Sequence, residues 1–350
     1  MTAMQYAEPN NLSSFLIRHQ SLFQNKSILI CGQLQSVSLT PLLSEIGTTF
    51  LVSDYSVFNT LQATSPMMGS RLRYGFMLND VEQKYDAVLL FMPKAKQEAA
   101  LWFDSVLPSL KPNGDIFVLG ENRGGISAAP KLLQPYADKV QKIDSARHCS
   151  LFYAQLVTPP VSSTPDSLFS HYTLQLTHDQ AALKISALPG VFSAGELDEG
   201  TQLLLDSLPA LSGDILDVGC GAGVIGAAIC QRTPDANVVM TDVNALALLS
   251  ATKTLKGNNL SAQVIASDMF SDVEAKFDFI ISNPPFHAGL KTNYEATERF
   301  LHQAPAHLKR GGQLFLVANK FLRYEPILAD VFHSVSVIKE NSRFKIIRAF

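Results

Sequence analysis

Cysteine is scarce in this chain and scattered: Cys31, Cys149, Cys220 and Cys230 form no C-x-x-C pair. That spacing excludes a zinc ribbon or a disulfide-stapled scaffold, and no metal is expected. Long hydrophobic runs are missing too; none approaches the roughly 20 residues that span a bilayer. The first residues, Met1 to Glu8, lack a basic start followed by an apolar core. The sequence therefore predicts a soluble, cytoplasmic protein with no membrane partner. Excess charge is absent as well. A net charge of −3 excludes an indiscriminate polyanion binder, so any nucleic-acid face has to be local.

What is plentiful is hydrophobic residue, 47% of 350 positions, enough for two cores at a length prior of roughly 150 residues per domain. Short β-branched or aromatic runs alternate with helical stretches: Ser27 to Cys31, Phe50 to Ser53, Ala87 to Met92 and Asp115 to Leu119, with a helix near Gln97 to Leu110. The stretch Thr158 to Ser167 combines prolines with small polar residues and reads as a linker. Beyond it the same rhythm returns at Asp214–Val218, Asn237–Thr241, Gln263–Ala266, Phe277–Ile281 and Gln313–Val317. This is the pattern of an α/β fold with parallel sheets, in two tandem doubly wound domains, 1–160 and 161–350.

The two halves also align with each other. Ile30-Cys31-Gly32 falls on Asp217-Val218-Gly219, Asp54 on Asp242, Phe91-Met92-Pro93 on Asn283-Pro284-Pro285, and Leu110-Lys111-Pro112-Asn113-Gly114 on Leu308-Lys309-Arg310-Gly311-Gly312. The first half has Gly32-Gln33-Leu34-Gln35 where the second has a glycine-rich loop, and Phe91-Met92-Pro93-Lys94 where the second has a polar corner. It keeps a scaffold and lacks a site.

Candidate chemistry lies at four successive strand ends of the second half. Gly219, Gly221 and Gly223 let a ligand press against backbone where a strand turns into a helix. Gly221 to Gly226 also fits G-x-G-x-x-G, with Asp242 about 20 residues on, as in dinucleotide sites. Asp217 weighs against that ligand: a carboxylate before the loop repels a pyrophosphate and favours a cation, such as the ammonium and sulfonium of S-adenosylmethionine. Asp242 is placed to accept ribose hydroxyl hydrogens. Asp268 is a candidate for the adenine amino group with Met269 packing on the ring, or else a helix cap. The last strand end carries Asn283-Pro284-Pro285-Phe286. Two prolines remove two N–H donors, so the carbonyls of Asn283 and Pro284 are available to accept, beside the flat face of Phe286. An acceptor-rich corner beside an aromatic ring suits a planar group bearing an NH₂.

This second half resembles class I S-adenosylmethionine-dependent methyltransferases, in particular the amino-methylating group with the motif (Asn/Asp)-Pro-Pro-(Phe/Tyr/Trp). With Leu188-Pro189-Gly190-Val191-Phe192-Ser193, Asn283 to Gly289, Gly311-Gly312 and Val317 to Tyr324, nearly the whole chain is similar to the ribosomal RNA small subunit methyltransferase C family. The resemblance implies two Rossmann-like methyltransferase domains, the first degenerate. It also implies methylation of the exocyclic N2 of one guanine in 16S rRNA, the family target being guanine-1207. The catalytic residues would be Asn283, Pro284, Pro285 and Phe286. The cofactor would be held by Asp217, Gly219, Gly221, Gly223, Asp242, Asp268, Met269 and Asn283. The expected partner is 16S rRNA or the 30S subunit, met by a monomer whose first domain braces the second and docks substrate. A large-subunit guanine-N2 methyltransferase and a non-catalytic ribosome-assembly factor remain as alternatives; release-factor glutamine methyltransferases use a similar Asn-Pro-Pro corner, but their usual aromatic is Tyr and they lack a degenerate twin domain.

Three features have plainer readings. His287 reads as loop surface and Cys220 as a small packing residue, since methyl transfer to nitrogen needs neither imidazole nor thiolate. From His307 to Phe350 there are eight Lys or Arg against three Asp or Glu, which fits either a solvated face or a phosphate-contacting one, with Arg71 and Arg73 as possible extensions.

Overall fold

The computed structural model describes residues 11–34, 47–78, 84–160, 165–177, 181–284 and 291–350. The chain divides into two compact units, Met1–Leu168 and Phe169–Phe350. Residues 161–164 of the Pro- and Ser-rich stretch lie outside the described residues.

In the first unit the strands are β1 (Ile28–Gly32), β2 (Thr48–Val52), β3 (Leu72–Tyr74), β4 (Tyr85–Phe91), β5 (Leu110–Glu121), β6 (Val140–Ala146) and β7 (Cys149–Gln155). They form one sheet in the order β3-β2-β1-β4-β5-β7-β6. The first five are parallel, and β7 and β6 close the edge antiparallel. Every residue of β1 and β2 is buried, as in a parallel sheet covered on both faces; β1 accordingly reads as an apolar run, whereas β2 opens with the buried Thr48 and Thr49 ahead of its apolar part. Leu12, Phe15 and Leu16 of the helix Asn11–Arg18 join Phe91 and Leu119 in one core.

In the second unit β8 (Ser170–Leu174) and β9 (Leu183–Ala187) make a separate antiparallel pair. The remaining strands are β10 (Asp214–Val218), β11 (Asn237–Asp242), β12 (Gln263–Ala266), β13 (Phe277–Ser282), β14 (Leu308–Asn319), β15 (Val335–Glu340) and β16 (Phe344–Ala349). Their order, β12-β11-β10-β13-β14-β16-β15, repeats that of the first sheet strand for strand. Both are therefore mixed, doubly wound α/β sheets. The antiparallel hairpin at each edge is an addition to the all-parallel expectation. The edge strands β6 and β15 are mostly exposed, so no hydrophobic alternation announces them.

The registers make the duplication quantitative. β4 and β13 each carry an irregularity one residue into the strand, between Tyr85 and Ala87 and between Phe277 and Phe279. Ile28 pairs with Thr48 and Ala87, as Ile215 pairs with Val238 and Phe279. Counting along β2 and β11 from these pairs, Val52 and not Asp54 occupies the place of Asp242. Asp54 falls on Asn244, and each begins a helix: Asp54 accepts from Ser56 N and Val57 N, and Asn244 from Leu246 N. The two-residue offset in the sequence alignment arises because an aspartate is equally at home at a strand end and at a helix N-cap.

Candidate functional site

The order of the second sheet reverses between β10 and β13, and it is outside the carboxyl ends of such strands that α/β folds bind ligands. A cavity of about 420 Å³ opens there. That lies within the roughly 300–1,000 Å³ usual for small-molecule sites.

Its floor is the loop after β10. Gly219, Gly221 and Gly223 all have positive φ (73°, 54° and 78°), a conformation that penalises any Cβ. Gly219 and Gly221 line the cavity, and Gly223 does not. A Cβ at Gly223 would stand 2.9 Å from Ala251 Cα, so this glycine serves close packing at the start of the helix Val224–Arg232. Thr241 O, at the end of β11, accepts from Gly219 N at 2.8 Å and Cys220 N at 2.9 Å and holds the loop against the sheet.

Asp217 sits behind this loop. Its side chain is fully buried, Oδ2 accepts from Gly226 N at 3.0 Å, and Oδ1 has no partner among the described residues. Burial pushes its pKa up to about 7, against the lowering effect of the Gly226 hydrogen bond, and the nearby Asp242 raises it further. Asp217 therefore braces the loop from inside and does not line the cavity. Burial also pushes the Cys220 thiol far up, with Asp242 and Asp217 adding to the effect, which leaves it inert.

Asp242 faces the cavity. Its two carboxylate oxygens accept from Gly221 N and Asn244 N, each at 2.9 Å, tying the glycine loop to the next helix. Asp268 and Met269 also line the cavity. No helix follows Asp268; it lies in a turn with Arg299 Nη2 3.5 Å from its carboxylate, and Met269 takes a left-handed φ of 55°.

Asn283 and Pro284 complete the wall. Ser282 Oγ donates to Val218 O at 2.8 Å, zipping the ends of β13 and β10 together. The Asn283 amide donates from Nδ2 to Thr201 Oγ1 at 2.8 Å and to Asp198 Oδ2 at 3.1 Å. Pro285, Phe286 and His287 lie outside the described residues.

Several lining residues carried no role in the sequence reading. Gly190 to Phe192, Asp198, Asn244, Asn319, Arg343 and Phe344 all reach the cavity. Asp198 caps the helix Glu199–Leu205, accepting from Thr201 N at 2.9 Å; nothing in the sequence placed it beside Asn283, 85 residues away. Four of the eight basic residues of the carboxy-terminal stretch form ion pairs within the unit: Lys309 to Asp214 and Asp278, Lys320 to Glu340, Arg343 to Glu199 and Lys345 to Glu325. Among the described residues no group of three His, Cys, Asp or Glu could hold a metal ion, and no helix is long and apolar enough to cross a membrane.

At the matching place the first unit carries different side chains. Ile30, Val52 and Phe91 stand where the second unit has Asp217, Asp242 and Asn283, by the strand registers. Among the described residues a recess of about 30 Å³ lies beside Gln33, Phe91 and Leu119.

Family comparison agrees with the division. The Methyltransferase small domain N-terminal model matches residues 13–172, and the Methyltransferase small domain model matches residues 182–348. The chain is 47% identical over 341 residues to the Ribosomal RNA small subunit methyltransferase C of Aeromonas hydrophila, covering 96% of each chain. It is 40% identical to that of Psychromonas ingrahamii, covering 97% of this chain and 96% of the relative. Among solved structures it is similar to the Thermus thermophilus 16S rRNA N2 G1207 methyltransferase in complex with AdoMet and guanosine. That match has a TM-score of 0.77 and 26% identity, and covers 92% of this chain and 87% of that one.

Proposed function

This chain belongs to the ribosomal RNA small subunit methyltransferase C family, and from that premise we propose how its second unit methylates the exocyclic N2 of one guanine in 16S rRNA. The chain is an S-adenosylmethionine-dependent rRNA methyltransferase. In our assignment Asp242 receives the ribose hydroxyls, Asp268 and Met269 the adenine, and Gly219 and Gly221 let the cofactor lie on bare backbone. Asp217 and Gly223 hold the loop in shape from behind it. The donor set suits that group: the cavity has carboxylates where hydroxyl and amino hydrogens must be accepted.

Bound S-adenosylmethionine supplies a methyl group on a positively charged sulfonium. The protein's task is to make a poor nucleophile attack it. The lone pair of a guanine amine is delocalised into the ring, so attack requires the NH₂ to be oriented and partly pyramidal. Asn283 Oδ1 and the Pro284 carbonyl accept its two hydrogens and aim the lone pair at the methyl. No strong base is needed, because the methylated nitrogen becomes acidic and gives its proton to a carbonyl or to water. A paired guanine must first leave its stack, at a cost of a few kcal/mol.

The observation that carries this reading is the state of Asn283. Both hydrogens of its NH₂ are engaged, and its carbonyl accepts no hydrogen bond among the described residues while the residue lines the cavity. The first unit has Phe91 in that position and serves substrate docking, not chemistry. We further assign the assembled 30S subunit as substrate, a monomer as the working form, no metal requirement, and a cytoplasmic location.

Labelled methyl transfer tested in parallel on 30S subunits, 50S subunits, naked 16S rRNA and release factor separates the possibilities. The expected outcome is label in 30S subunits, recovered as N2-methylguanosine. Preference for 50S subunits would make the chain a large-subunit enzyme. Cofactor binding with no transfer to any of the four would contradict the enzymatic reading.

A further inference from the structure

An asparagine amide is nearly symmetrical in shape, and its two ends do opposite things. Rotated by half a turn, it presents NH₂ where it had presented C=O. For a residue that must accept a hydrogen from an amine, the rotated form sets donor against donor. The corner works only if something decides which end faces the substrate.

Asp198 and Thr201 supply that decision. Asp198 Oδ2 accepts from Asn283 Nδ2 at 3.1 Å, and Thr201 Oγ1 accepts from the same nitrogen at 2.8 Å. A carboxylate has no hydrogen to give, so only the NH₂ end of Asn283 is tolerated against it. The carboxylate is itself fixed. The same Oδ2 accepts from Thr201 N at 2.9 Å as the cap of the helix Glu199–Leu205, and a Cβ on Gly200 would come within 3.0 Å of it. Thr201 is 4% exposed, so its hydroxyl does not swing into water.

We propose that Asp198 and Thr201 are positioning residues for methyl transfer: they bracket the Asn283 amide so that its carbonyl points at the guanine amine. This rests on the reading of Asn283 as holder of that amine. Hydrogen bonds to a charged acceptor are among the stronger ones, and losing one arm of the bracket should lower the productive fraction roughly tenfold.

The test uses the full chain with saturating S-adenosylmethionine and 30S subunits, reading single-turnover rate, KM for 30S subunits, cofactor affinity and melting temperature. Thr201→Val removes the hydroxyl and keeps the shape; Thr201→Ser restores the hydroxyl alone. Asp198→Asn keeps a good helix cap, so it serves even if Thr201→Val folds poorly. Thr201→Val and Asp198→Asn should each lose about tenfold in rate with KM and cofactor affinity within about threefold, and Thr201→Ser should recover most of the rate. Unchanged rates in folded Thr201→Val and Asp198→Asn would overturn the proposal, as would failure of Thr201→Ser to recover. Loss of cofactor affinity in Asp198→Asn would place Asp198 in the cofactor site instead. Asn283→Ala, measured alongside, separates the two levels: if it retains transfer, the reading of Asn283 itself fails, whereas if it alone loses transfer, only the bracket fails.

Discussion

A carboxylic acid sealed from water, as at Asp217, keeps its proton far above the ordinary value. Burial is the largest cause of its rise to about 7, from an ordinary 3.8. Between about pH 4 and pH 7 the folded chain thus holds a proton at Asp217 that the unfolded chain has released. The stability this group contributes is fully present below the unfolded value and is lost as the pH rises through about 7. Asp214 and Asp278 behave oppositely. Hydrogen bonds from Lys309 hold both below the usual carboxylate range, so their contribution fades only as the pH falls through their folded values. The windows do not overlap. Asp217→Asn should therefore flatten the decline in melting temperature between pH 5 and pH 8 in cofactor-free protein, without altering acid denaturation. Parallel melting curves for the two proteins across that range would show that Asp217 is ionised throughout. The sequence marked Asp217 correctly as a strand-end carboxylate. It could not tell that the side chain turns inward to Gly226, because on a buried strand both faces are apolar and the pattern assigns no direction.

Among the elements, the two ends of the sheets have different histories. At the amino ends both units use the same device. Asp86 accepts from Ser27 N and from Lys111, and Asp278 accepts from Asp214 N and from Lys309, so one carboxylate ties three strands in each sheet. Lys111 and Lys309 occupy matching places in β5 and β14, which is why the segments around them were recognisable as copies from sequence. At the carboxyl ends the copies diverge, and only the second keeps the glycine loop. Its glycines are not equivalent. A Cβ at Gly219 meets nothing within 4 Å, whereas one at Gly223 meets the Ala251 backbone. Both substitutions by alanine carry left-handed strain of roughly 1–2 kcal/mol. Gly223→Ala should cost stability beyond that, seen as the larger drop in melting temperature. Gly219→Ala should fold nearly as well and lose cofactor affinity by titration, because its Cβ would occupy the cavity. The reverse ordering would contradict the roles assigned to the loop. Sequence spacing alone could not separate these glycines, since their difference lies in a contact with a helix 28 positions further on.

For the whole molecule, the outcome is one fold used twice and one working site. The central strands, their order of appearance and the internal repeat were legible because buried parallel strands read as apolar runs. The antiparallel edges were not, since exposed strands such as β15 lack that signal. The cavity walls were half legible: residues at strand ends stood out, whereas Asp198 and Arg343 arrive from elements whose meeting no local pattern encodes. The duplication supplies an internal comparison: by the strand registers Val52 and Phe91 stand in the first copy where the cavity of the second has Asp242 and Asn283. The proposed chemistry turns on Asn283 as the acceptor that orients the guanine amine. Its most direct test is Asn283→Ala in the full chain, with methyl transfer to 30S subunits and S-adenosylmethionine affinity measured on the same preparation. The predicted result is loss of transfer with cofactor affinity within several-fold of the unsubstituted chain. Transfer that persists, or cofactor binding that disappears, would contradict it.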